Sequence, residues 1–148
     1  GADGENYLKG VDGFVNDGLF SKIEGLQYFP AGYPFLIYML SFLGKSWTLT
    51  SLSLIQTLLF SIATYQFARE IFESRLRKFT LITFVLISFN PTLSLNSMAV
   101  GYESMAASIF LLTLAFILRT YRIKSRSQTI STALLISILL SILSFMQP

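Results

Sequence analysis

The sequence predicts an all-α fold: a polytopic α-helical membrane protein with an extracytoplasmic loop of short interfacial helices. Three observations predict it. Hydrophobic residues make up 53% of the chain and charged residues only 13%, far from the balance of a water-soluble domain. Charge-free windows cover residues 46–68, 79–102, 104–118 and 127–148, and a spanning helix needs roughly 20 apolar residues. Lys and Arg gather in two short stretches between those windows, as they do in loops held on the cytoplasmic side.

The first 45 residues form the predicted extracytoplasmic loop. Tyr7, Leu8, Val11, Phe14 and Val15 recur at helical spacing with charges between them, which predicts an amphipathic surface helix. Asp3 stands before it, where a carboxylate serves as an N-cap or as a functional acid. Gly10, Gly13, Gly18 and Gly25 suggest turns around short helices, and Asp12 and Asp17 read as solvated charges. Residues 25–44 are again uncharged, but Pro30, Gly32 and Pro34 leave room only for a short helix over 35–43, re-entrant or interfacial. In "YFPAGYPFL" the two prolines stop helix propagation, Gly32 permits a tight bend, and Tyr28 and Tyr33 suit the headgroup layer.

Residues 46–148 then form four predicted transmembrane helices, at about 47–70, 79–97, 101–120 and 128–147. Asn90 and Pro91 fall inside the second, where a proline frees a carbonyl and favours an early break. Arg69, Arg75, Arg77 and Lys78 follow the first helix; Arg119, Arg122, Lys124 and Arg126 follow the third. Both stretches are therefore expected inside, and the acidic opening and the 90–103 connection outside. Counting helices gives the same alternation. The chain starts without Met and ends at a proline where the last helix should emerge, so it reads as a portion of a larger protein with a helix upstream.

Several functions are set aside by composition. The net charge of +3 comes from two inner loops beside anionic lipid, so it is no nucleic-acid signal. Without Cys or His there is no disulfide framework and no usual zinc site; a carboxylate-bound hard cation, magnesium or manganese, is the remaining metal option. Glu103 is the sharpest oddity. Reaching back about 20 residues from Arg119 across a core of roughly 30 Å places it about one turn below the outer surface. An acid at that depth faces a cavity or a partner; the alternative is a helix-start acid among the headgroups. Ala106, Ala107 and Ser108 beside it are small, as close helix packing requires.

The ordered elements Asp3-x-x-x-Tyr7, "YFPAGYP", "NP" and Tyr102-Glu103 resemble the GT-C superfamily of membrane glycosyltransferases. The resemblance is to its branch dependent on polyprenyl- or dolichyl-phosphate sugars, which includes protein O-mannosyltransferases and the lipid A aminoarabinose transferase. It spans nearly the whole chain, as the front portion of the family's length, and rests on order and topology rather than on one motif. It implies Asp3 as catalytic acid, Tyr7 as the aromatic after it, Pro30, Gly32, Tyr33 and Pro34 as the structural turn, and Glu103 as the acid of the next outer loop. Tyr7, Tyr33, Tyr102 and Glu103 are thereby implied in substrate binding. Gly4 stands where relatives often carry a second acid, Ala31 replaces a second proline, and no basic phosphate ligand is visible.

The resemblance further implies inverting transfer from a polyprenyl-phosphate-linked sugar to a protein, lipid or glycan acceptor, without a required metal. The enzyme would sit in the bacterial cytoplasmic membrane with its site facing outward, or in the endoplasmic reticulum membrane of a eukaryote. The competing expectation is a non-catalytic scaffold or binding module for lipid-linked sugars. A transporter is disfavoured, because the centres of the four windows hold no charge.

Overall fold

A computed structural model describes residues 2–17, 32–90, 102–123 and 125–146, with the backbone alone at 2–6, 17, 45, 46 and 146. The described residues form α-helices and no strand, the all-α architecture predicted. In chain order the helices are α1 (Ala2–Asp17), α2 (Gly32–Ser41), α3 (Lys45–Phe72), α4 (Thr80–Ser88), α5 (Glu103–Thr120) and α6 (Arg126–Met146). A single 3-10 turn, Arg77–Phe79, precedes α4.

Among the described residues, three helices are long and apolar enough to cross a membrane: Trp47–Phe72, Glu103–Thr120 and Arg126–Phe145. They are compatible with an integral membrane protein. Leu54, Leu58 and Ile62, one turn apart on α3, are exposed, while Leu52, Gln56, Phe60 and Ala63 on the other side are buried. Apolar side chains facing outward suit a lipid solvent, in which only the backbone must satisfy itself internally.

The span expected over 79–97 is described only as α4, whose nine residues extend about 14 Å at helical rise. Past its end, the Phe89 backbone N–H donates to the Val85 carbonyl and the Asn90 N–H to the Ile87 carbonyl. The helix closes just before Pro91, as a residue preceding proline avoids the helical region. Residues 91–97 of that expected span lie outside the described residues.

α3 is the spine. Leu52 on α3 joins one core with Met105 and Ile109 at the start of α5, and Glu70 and Glu73 at its end meet Arg122 beyond the end of α5. The two helices therefore run side by side in the same direction. α4 runs back along α3, with Leu81 beside Phe72 and Ser88 beside Phe60. α6 returns along α5 until Phe145 reaches Gly32. All the described loops rich in Arg and Lys thus fall at one end of the bundle, and α1 and α2 cover the other.

Three local expectations are corrected. Gly10 and Gly13 mark no turns; both lie buried inside α1. Asp3 does not precede the helix but sits in its first turn. Pro34 does not stop a helix but lies in the first turn of one that begins at Gly32, where a proline gives up an N–H that has no intrahelical acceptor. A bend lies at Gly44, whose φ of 104° is the left-handed value that lets α2 turn into α3. Pro30 and Tyr28 lie outside the described residues.

Candidate functional site

Three tyrosines far apart in sequence converge at the end of the bundle capped by α1 and α2. α1 presents Tyr7, Gly10, Val11 and Phe14, a face repeating every three to four residues, and buries it. The Tyr7 ring meets that of Tyr33 edge-on at 5.0 Å and that of Tyr102 at 6.2 Å, separations at which aromatic pairs attract. Phe14 continues the seam toward Phe35 and Tyr38, at 6.1 and 5.8 Å.

Tyr33 is fully buried, yet its hydroxyl is satisfied: Gln56 on α3 donates a hydrogen bond to it through Nε2 at 2.8 Å. A buried phenol and a buried carboxamide each require a partner, and this pair ties α2 to the spine. Gly32 is held as tightly. A Cβ there would come within 2.6 Å of the Phe145 ring and 2.7 Å of the Phe145 carbonyl oxygen, so α2 starts almost in contact with the end of α6.

The start of α5 closes the cluster. Tyr102 is half-buried at its N-cap, and Glu103 is its exposed first residue. An acid there faces the free N–H groups of the first turn, so the geometry matches the helix-start arrangement. Ser104 and Ser108 lie buried behind it, and the Ser108 hydroxyl donates to the Ser104 carbonyl at 2.7 Å. Among the described residues, the Ser104 hydroxyl has no hydrogen-bond partner. Ala106 is buried and Ala107 half-buried, in keeping with close packing of α5.

The residues singled out in the sequence thus divide into two groups. Tyr7, Tyr33, Gly32 and Pro34 are buried and act by holding α1 and α2 against the bundle. Tyr102 and Glu103 lie on the accessible side of the same cluster. Asp3 lies one helical turn before Tyr7, in the element that the tyrosine contacts carry to the start of α5. Among the described residues no three acidic side chains gather as a metal site.

A second polar cluster, at the opposite end, was not singled out in the sequence. Arg122 bridges Glu70 and Glu73, and Glu73 also accepts from Arg69 Nε at 2.9 Å. Glu70 is only 6% exposed, so its charge depends on Arg122. The four-residue spacing of Arg69 and Glu73 was a legible signal; the bridge across 49 residues from Arg122 to Glu73 was not. No family model, curated protein or solved structure matches the chain.

Proposed function

We propose that this protein is an integral-membrane glycosyltransferase that moves a sugar from a polyprenyl-phosphate donor to an extracytoplasmic acceptor by inverting displacement. The observation that carries the reading is the meeting of Tyr7, Tyr33 and Tyr102, which gathers the elements bearing Asp3 and Glu103 at one end of the bundle. A lipid-borne sugar reaches such a site sideways from the membrane, and an acceptor reaches it from the aqueous phase.

In this mechanism the Asp3 carboxylate takes the proton of the acceptor hydroxyl as that oxygen bonds to the anomeric carbon. The bond from the anomeric carbon to the phosphate oxygen breaks, and the lipid phosphate leaves with the electron pair. General-base assistance of this kind contributes roughly 10²–10⁴ in rate. Glu103, accessible at the start of α5, accepts hydrogen bonds from sugar or acceptor hydroxyls. Tyr7 and Tyr33 are positioning residues.

The test is transfer of radiolabelled sugar from polyprenyl phosphate by membranes holding the protein, beside Asp3→Asn and Glu103→Gln at matched expression. Asp3→Asn is expected to lower the rate by roughly 10²-fold or more, and Glu103→Gln to weaken it less. Unchanged transfer in Asp3→Asn overturns the assignment of the base. Binding of the lipid-linked sugar without transfer in any of the three identifies a non-catalytic binding module instead.

A further inference from the structure

At the end opposite the tyrosines, α3 and α4 diverge around an open cleft of about 970 Å³. Its walls are apolar and follow helical spacing: Tyr65, Ala68 and Phe72 from α3, and Leu81 and Phe84 from α4. Its charge is confined to one end, where Arg69, Arg75, Arg77 and Lys78 line the turn between the helices. Arg77 lies over the Phe72 ring at 4.3 Å and Lys78 over the Phe79 ring at 5.1 Å, contacts that hold both cations beside apolar surface.

The charge balance of this rim is uneven. Arg69 is paired with Glu73, which Arg122 also holds, whereas Arg75, Arg77 and Lys78 form no ion pair among the described residues. Such an excess of cations calls for an anion. The anion's shape is set by the walls, because an apolar channel leading away from a cationic mouth, between helices with lipid-facing sides, matches a molecule with a charged head and hydrocarbon tails. We propose that the cleft between α3 and α4 is a binding site for one anionic phospholipid, its phosphate held by Arg75, Arg77 and Lys78 and an acyl chain lying against Phe72, Leu81 and Phe84. By the positive-inside rule, this lipid belongs to the inner leaflet, on the side away from the tyrosine cluster. The proposal stands independently of the glycosyltransferase reading.

The experiment counts lipids retained by the purified full chain in neutral detergent, by native mass spectrometry, after titration with phosphatidylglycerol or phosphatidylcholine. One phosphatidylglycerol per chain is expected to be retained in preference to phosphatidylcholine, and to stay bound in excess inorganic phosphate. Arg75→Gln with Arg77→Gln is expected to weaken retention about fivefold per charge removed. Arg119→Gln with Arg126→Gln removes the same charge from the other basic loop and is expected to leave it intact. Equal retention of the two lipids overturns the proposal without reference to any variant. Equal loss in both double variants reduces the effect to general surface charge, and displacement by inorganic phosphate reduces the site to one for a free anion; either result overturns it.

Discussion

At the tyrosine end, α1, α2, α3 and α5 meet through packed aromatic rings and an interior hydrogen bond from Gln56 to Tyr33; at the basic end, α3 meets the segment after α5 through the bridge of Arg122 to Glu70 and Glu73. Ring packing depends on shape, is indifferent to salt, and fixes helices in one arrangement. Partly exposed ion pairs respond to ionic strength and to competing anions. The first suits a site that must hold catalytic groups in fixed geometry. The second suits a surface that exchanges contacts with lipid headgroups, and the open cleft lies beside it.

The sharpest way to break this contrast is to empty the tyrosine end. Tyr33→Ala removes a fully buried ring and the acceptor of the Gln56 hydrogen bond. A loss of about 3–5 kcal/mol is expected, measured by detergent-induced unfolding followed by circular dichroism. A loss below about 1 kcal/mol would show that the cluster does not hold α2. At the basic end, Arg122→Met leaves the nearly buried Glu70 without its counterion. Arg122 is 30% exposed, so the cost is expected at about 2 kcal/mol, below the ~3–5 kcal/mol of a fully buried pair. The same unfolding assay in high salt should shrink this difference while leaving the Tyr33→Ala effect unchanged.

Smaller changes refine the picture. Gly32→Ala drives a methyl group into the Phe145 ring and its backbone carbonyl, and the carbonyl cannot swing aside. A cost of about 1–2 kcal/mol is expected, with tryptic cleavage at Lys9 of α1 accelerated as α2, on which α1 packs, loosens from α6. Asp12→Asn, on the exposed face of α1, is expected to change the unfolding free energy by no more than about 0.5 kcal/mol. A larger effect would mean that this face is covered in the protein.

The helices were legible because the lipid solvent imposes a coarse rule: long charge-free windows form spans, and α3, α5 and α6 follow them closely. The periodicity of Tyr7, Leu8, Val11, Phe14 and Val15 identified α1, but only Tyr7, Val11 and Phe14 are buried, while Leu8 and Val15 are exposed. Glycine and proline misled, because each has two opposite uses. Pro34 ends a helix that precedes it but starts one that follows, and Gly10 permits either a turn or a close helix contact. Only the neighbouring helix decides which. The acids were half legible: Glu103 stood out by position, while nothing local marked Glu70, which gains its partner only when the parallel run of α3 and α5 brings Arg122 to it.

The two ends can be told apart across the membrane by thiol labelling, because the chain contains no cysteine. Single substitutions Asp12→Cys on exposed α1 and Arg75→Cys in the basic turn would be labelled in intact cells with a membrane-impermeant maleimide. Labelling of Asp12→Cys from outside, with Arg75→Cys reached only after permeabilisation, is the predicted result and gives the tyrosine end the outward orientation that the proposed function requires. The reverse pattern, or labelling of both from outside, would contradict an outward-facing site.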